Sequence, residues 1–215
     1  DCLAVMTTPY DTGQRTGRIG RVIRGTYRLV RLIGKGGMGE VYEATHVTIP
    51  RRFAVKLLVG DLSGDAEALA RFHREANIAA SLGSPHIVEV FDFNQSEDGS
   101  FYIAMELLEG ETLGARLERE GPMTPEAWLP LFAEVCEGLE VAHAAGIVHR
   151  DLKPDNLFLA RGQKGKQGEE VLKILDFGIS KIRSSKTVHT RAGAVFGTPN
   201  YMSPEQAEGA TADAD

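Results

Sequence analysis

One acid, two cations and an amide fall within eight residues, His149-Arg150-Asp151-Leu152-Lys153-Pro154-Asp155-Asn156. The Asp151 carboxylate can accept a proton from a hydroxyl, and the Asn156 amide oxygen suits a hard cation. Pro154 stops a helix from running through the stretch, because it lacks the N–H and clashes with the preceding turn. Apolar residues flank it at 144–148 and 157–159. A polar loop between buried elements is a common place for chemistry. Twenty residues beyond Asn156 stands Asp176-Phe177-Gly178, which supplies a second carboxylate. Either string alone says little; both together, in this order and spacing, make coincidence a poor explanation.

Gly34-Lys35-Gly36-Gly37-Met38-Gly39 suits a phosphate, since glycines let the backbone approach without a side chain in the way. A dinucleotide fold would need a helix next, but residues 41–45 continue as a strand, and no Gly-Lys-Ser/Thr ending makes a P-loop. By itself the pattern fits an ordinary Gly-rich hairpin equally well. Lys56 interrupts the apolar strand 52–58, and an unpaired buried ammonium is costly. An edge-strand lysine with a wet head is the bland account. Residues 65–82 predict a helix closed by Gly83, with Leu69, Phe72, Ala76 and Ala79 on its inner face. Glu75 lies near that face. Its partner is either Arg71 at i, i+4 or Lys56, and Lys56 is favoured because it also needs pairing.

The elements that must position these groups are strands first and helices later. Period-two alternation predicts strands at 27–33, 41–45, 52–58, 86–91 and 101–105, with a turn at Asp98-Gly99. Thr124-Pro125-Glu126 is a helix start with cap, proline and first-turn acid. The helix runs to Ala145 and stops at Gly146; Trp128, Leu131, Val135, Leu139 and Ala142 form its buried stripe. Cys136 and His143 lie on it, seven apart, without the further pair a zinc set needs. Short strands at 157–160 and 171–175 flank an exposed loop rich in Gly, Lys, Gln and Glu. Residues 1–26 carry no apolar period and read as a flexible extension. The pattern predicts an α+β protein of two unequal lobes.

Composition bounds the class. With 42% apolar and 25% charged residues, the 215-residue chain can bury a core. A net charge of -6 argues against non-specific nucleic-acid binding. Two cysteines, Cys2 and Cys136, imply no disulfide framework and a reducing compartment. No apolar run approaches the ~20 residues that span a bilayer, and no signal-peptide pattern opens the chain. The first residue, Asp1, is not expected to be a natural N-terminus.

The 149–156 stretch resembles the catalytic loop of protein kinases, and Asp176-Phe177-Gly178 resembles their magnesium-binding triplet. Ser203-Pro204-Glu205 resembles the Ala-Pro-Glu motif with serine for alanine, and Gly197-Thr198-Pro199-Asn200-Tyr201 resembles the substrate-docking turn before it. The resemblance covers residues 27–215 and is closest to bacterial, eukaryotic-like serine/threonine kinases. It implies a two-lobed protein-kinase-like fold: a small antiparallel β lobe with one helix over 27–105, then a hinge and an incomplete, mostly helical large lobe over 106–215. It implies transfer of the ATP γ-phosphoryl group to Ser/Thr hydroxyls of proteins, with ATP and Mg²⁺. Asp151 would be the base, Lys153 would neutralise the transferring phosphate, Lys56 would hold phosphates and Glu75 would hold Lys56. Asn156 and Asp176 would bind the metal. Gly34, Gly36, Gly39, Val41, Ala54, Lys56, Met105, Glu106, Leu108 and Phe158 would contact the nucleotide, with backbone bonds to adenine at Glu106 and Leu108; Met105 reads equally as core filler.

Phosphorylation within 184–191, first at Thr190 and then at Thr187, is expected to regulate activity. Self-association for trans-autophosphorylation stays open, as does a nucleotide-binding pseudokinase scaffold. A small-molecule kinase is disfavoured, because those relatives lack a Ser/Thr-bearing segment ending in Pro-Glu. The expected location is cytoplasmic, with no membrane segment in this chain and no nucleic-acid partner. Helices that complete the large lobe in the family have no counterpart after Glu205. The 215 residues by themselves are therefore expected to be inactive.

Overall fold

Alternation in the first half of the chain closes into a six-stranded antiparallel sheet. A computed structural model of the protein describes residues 17–36, 39–58, 80–161, 170–177 and 199–204. The strands are β1 (Val22–Ile23), β2 (Tyr27–Gly36), β3 (Gly39–His46), β4 (Arg52–Leu58), β5 (Val90–Gln95) and β6 (Phe101–Glu106), in spatial order β1-β2-β3-β4-β6-β5. Successive side chains of a strand face opposite ways. Phe53, Val55 and Leu57 of β4 therefore join Ile23, Tyr27, Leu29, Tyr42, Tyr102 and Ala104 in one core. Ala54 and Leu58 face the other core, with Ile33, Val41, Ile103 and Met105. Lys56 shares that second face by the same period.

Three further strands, β7 (Gly110–Thr112), β8 (Leu157–Arg161) and β9 (Glu170–Ile174), form a second antiparallel sheet in that order. One of its faces supplies Phe158 and Ala160 to the core that holds Ala54 and Met105. The other, with Leu157, Leu159, Leu172 and Ile174, packs on Val135 and Ala142 of a long helix. Helix α1 (Leu113–Glu120) follows β7, and α2 (Pro125–Ala144) is that long helix. Thr124 caps α2 by accepting the Ala127 N–H, Pro125 opens it, and Gly146 leaves it at φ +73°. Trp128, Leu131 and Leu139 pack partly buried beside Val135 and Ala142, while Leu129, Phe132 and Val141 stand exposed on the outward side.

Two expectations change. The extension read as 1–26 is part of the lobe from Gly17 onward: β1 pairs with β2, Ile23 is 1% exposed, and Arg21 meets Asp98 at 2.6 Å. A two-residue strand is too short to show a period, which is why the segment looked featureless. The strand read at 86–91 begins instead at Val90. Ile87 makes a parallel bridge to Ile174, the Val88 N–H donates to the Ile174 carbonyl at 3.0 Å, and the Ile174 N–H donates to the His86 carbonyl at 2.8 Å. Ile87 and Val88 are buried either way, so their local pattern does not say which sheet they join. Of the helix read at 65–82, Ala80 and Ser81 are helical, Leu82 is already past the helix end, and residues 65–79 lie outside the described residues.

Candidate active site

Lys56 is 1% exposed, and its ammonium meets the Asp176 carboxylate at 2.7 Å. Both charges have left water, so each needs the other. Asp176 follows β9 and holds φ at +62°, a left-handed conformation uncommon for a residue with a side chain. Arg150 does the same at +64°. Such backbone persists where surrounding contacts over-determine it, and those contacts are visible here. His149, fully buried, bonds the Leu175 carbonyl through Nε2 at 2.8 Å. Its Nδ1 accepts the Asp151 N–H at 3.2 Å. A carbonyl can only accept and an amide N–H can only donate, so the proton sits on Nε2. The ring edge also packs on Phe177, with centroids 4.8 Å apart. The catalytic-loop segment and the Asp176 segment are thus fastened through His149, and again by the Leu175 N–H donating to the Asn156 carbonyl at 2.8 Å.

Asn156 closes a 3₁₀ turn, Pro154–Asn156, and is fully buried. Its Nδ2 donates to the Asp151 carbonyl at 2.6 Å and reaches the Asp151 carboxylate at 3.3 Å. Because a carbonyl can only accept, the amide nitrogen must face it, and Oδ1 then points away. Oδ1 is buried and has no hydrogen-bond partner among the described residues. An orphaned buried amide oxygen is rare and costly. Together with the Asp176 carboxylate it is the kind of oxygen donor that Mg²⁺ takes, so the residues present fit the ion. Lys153, 6% exposed, lies 3.5 Å from the Asp151 carboxylate. Asp151 thus stands between a cation and an amide.

The glycine turn joins β2 to β3 at Gly36↔Gly39, with Lys35 opposite Glu40 at 3.3 Å. Gly39 has φ +147°, and a Cβ there would lie 2.0 Å from the Leu57 carbonyl oxygen. That glycine is demanded by β4 whether or not a phosphate arrives. Gly34 and Gly36 lie on β2; Gly37 and Met38 lie outside the described residues. Val41, Ala54, Met105, Leu108 and Phe158 all fall in the core between the sheets. The backbone N–H and C=O of Leu108 bond to no described residue. The Glu106 N–H is used, donating to the Glu89 carbonyl at 2.9 Å. Glu75, Gly178, Gly197, Thr198, Glu205 and the whole segment 184–191 lie outside the described residues.

Two positioning features escaped the sequence reading. A Cβ on Gly114 would stand 2.3 Å from Asp155 Oδ1, so glycine lets the start of α1 approach the 149–156 loop without displacing that carboxylate. Lys173 bonds the Glu106 side chain across the two sheets. Its signal was available: a lysine inside an apolar strand, the same oddity that singled out Lys56.

Two sheets joined by one hinge strand, with a buried lysine–aspartate pair and a polar loop at the junction, define the protein kinase fold. The protein kinase domain family matches residues 27–215, and the chain belongs to that family. Its relatives include the serine/threonine-protein kinase pkn3 of Myxococcus xanthus, 41% identical over 198 residues that cover 91% of this chain and 36% of the relative. PknA of Mycobacterium tuberculosis is 42% identical over 89% of this chain and 44% of its own length. PrkC of Bacillus subtilis is 40% identical over 90% and 28%. The chain thus spans less than half the length of these curated relatives. Among solved structures, the PknI kinase domain of M. tuberculosis superposes with a TM-score of 0.70 at 30% identity, covering 91% of this chain and 68% of that one. The kinship places this chain with the bacterial, eukaryotic-like serine/threonine kinases. Among the described residues no helix is long and apolar enough to cross a membrane.

Proposed function

We propose that the protein transfers the γ-phosphoryl group of ATP to serine or threonine hydroxyls of protein substrates. One observation carries the reading. The Asp151–Lys153–Asn156 loop is fastened through His149 and Leu175 to the Asp176 that pairs with Lys56. The Asp151 carboxylate, the Lys56 and Lys153 ammonium groups and the Asn156 and Asp176 oxygens so linked suit the roles of base, phosphate anchors and metal ligands. Catalysis of this kind is positioning and charge neutralisation.

Asp151 accepts the hydroxyl proton as the oxygen attacks, and Lys153 beside it balances charge on the phosphoryl group. Lys56 anchors the α/β-phosphates, with Glu75 as its second partner. Gly34, Gly36 and Gly39 bring the backbone over the phosphates. Val41, Ala54, Met105 and Phe158 line the apolar slot for adenine, whose edge meets the Glu106 carbonyl and the backbone of Leu108. Asn156 Oδ1 and the Asp176 carboxylate would hold Mg²⁺, which would supply neutralising charge to the phosphate oxygens.

Thr190 and Thr187 are the proposed activating phosphorylation sites, because a phosphate of about -1.5 to -2 charge can pair with an arginine such as Arg150. Unchanged activity in a Thr187→Ala/Thr190→Ala double variant would remove that regulation. Self-association for trans-phosphorylation and a cytoplasmic location belong to the same proposal.

The test of the catalytic assignment is Asp151→Asn in the full-length protein. Transfer should fall about 10²–10⁴-fold, the range for loss of a general base, while ATP binding persists. Full turnover by that variant would take Asp151 out of the mechanism. Binding without transfer in the wild type would point to a pseudokinase scaffold.

A further inference from the structure

Lys173 lies on β9 opposite Phe158 and three residues before Asp176. Its ammonium bonds Glu106 Oε1 and lies 3.5 Å from the Ile87 carbonyl. Glu106 is the last residue of β6, two before Leu108. The same Oε1 accepts the Glu89 N–H at 2.9 Å, and the Glu106 N–H returns a bond to the Glu89 carbonyl at 2.9 Å. Side-chain exposure is 16% for Lys173 and 15% for Glu106. This is not a solvated surface pair, whose contribution would be near zero. Three separate segments therefore meet at one carboxylate: the hinge strand, the 86–89 stretch bridged to Ile174, and the strand that delivers Asp176.

The pair also links two ends of the ligand. Glu106 and Leu108 face the adenine side, while Asp176 and Lys56 face the phosphate side. Neither Lys173 nor the Glu106 carboxylate is in contact with the reacting atoms. Their bond sets how far the hinge backbone stands from β9, and so where the purine edge must lie for the phosphates to reach Lys56. We propose that Lys173, through the Glu106 carboxylate, is a positioning residue for the nucleotide: it holds the adenine-binding hinge in register with the Asp176–Lys56 pair. This rests on the kinase reading above.

The experiment uses the full-length protein, a fluorescent ATP analogue titrated with and without Mg²⁺, and steady-state phosphotransfer at varied ATP. Lys173→Met should raise the nucleotide Kd and the KM for ATP about fivefold, at the low end of site-to-site coupling because both groups keep some solvent. Its kcat should stay within about twofold of wild type, the pattern of lost uniform binding. Lys173→Arg, which keeps the cation, should bind close to wild type. Glu106→Gln keeps an acceptor for the Glu89 N–H but loses the charge, and should weaken binding to a similar extent as Lys173→Met. It takes over the readout if Lys173→Met does not melt cooperatively. Unchanged Kd and KM, a fall in kcat at constant KM, or a rise in kcat would each overturn the inference. A wild-type protein that binds nucleotide but transfers nothing would overturn the kinase reading instead, and the Kd comparison would still decide the role of Lys173.

Discussion

The six-stranded sheet buries rings and aliphatics, whereas the 149–156 loop buries His149, Lys153 and Asn156 at 0%, 6% and 0% exposure. In the sheet, Tyr27 packs edge-on against Phe53 and Tyr102 at centroid distances of 5.4 and 5.9 Å, and Phe53 against Phe91 at 5.4 Å. Those contacts are spread over many atoms and only weakly directional, and a side chain of similar volume can replace another at modest cost. In the loop a few buried donors and acceptors hold one another, so removing a single group strands its partner in a dry place. Stability in one region is spread over many atoms; in the other it is concentrated in a few hydrogen bonds.

Four measurements would break or sharpen that contrast. His149→Ala should have the largest effect, about 3 kcal/mol by denaturant unfolding, because it empties a buried site and orphans the Leu175 carbonyl and the Asp151 N–H. A loss under about 1 kcal/mol would mean the loop relaxes into solvent, and the contrast would fail. Ile23→Ala should cost about 2 kcal/mol, the low end for a buried isoleucine, since β1 lies at the sheet edge. No loss there would return residues 17–26 to the status of an appendage. Tyr102→Phe should cost about 1 kcal/mol through the bond its hydroxyl donates to Asp92 at 2.6 Å, with the ring packing kept.

The smallest effect is acid-dependent. The Ser96 hydroxyl, the Ser100 N–H and Arg21 hold the Asp98 carboxyl well below its ordinary 3.8, against the opposing effect of burial. A carboxyl lowered on folding stabilises the protein above its unfolded pKa. That contribution fades as pH drops from about 4 towards the folded value. Asp98→Asn should therefore lower stability modestly at neutral pH and converge on the wild type at low pH, which flattens the acid limb of the stability curve. An unaltered acid limb would show that the Arg21–Asp98 tie does not hold the N-terminal segment to the β5–β6 hairpin.

Elements whose pattern is local were legible. Tyr27 to Ile33 alternates, Thr124-Pro125-Glu126 announces α2, and Gly146 ends it. The candidate site residues could be named from sequence because Asp151, Lys153, Asn156 and Asp176 stand in short spaced strings. What escaped depends on distant partners. Ile87 chooses β9 rather than β6 because Ile174 lies beside it, 87 residues along the chain. The left-handed Arg150 and Asp176 have no decisive local cue: arginine does not favour that conformation, and aspartate, though it enters it more readily than most, does so at only a minority of positions. Their backbone is set by His149 bonding to Leu175, a contact between segments 26 residues apart. β7 was missed because three residues containing Gly110 show no alternation, and its pairing with β8 becomes visible only when residues 157–161 return alongside it.

The bridge from Ile87 to Ile174 has a mechanical consequence. The six-stranded sheet meets the rest of the molecule where residues 106–109 pass across, and again where residues 86–88 are hydrogen-bonded to Ile174. Two pivots define a line. Sliding or twisting one sheet over the other would tear both, whereas turning about that line disturbs neither. Among the described residues, swinging like a door on two pins is thus the movement that breaks the fewest backbone hydrogen bonds between the β1–β6 sheet and the rest. The Lys56–Asp176 pair is a further fastening, beside the Lys173–Glu106 bond, and works as the door's latch. Opening the junction is then an electrostatic event before it is an elastic one: the buried charges must part before the sheet can swing.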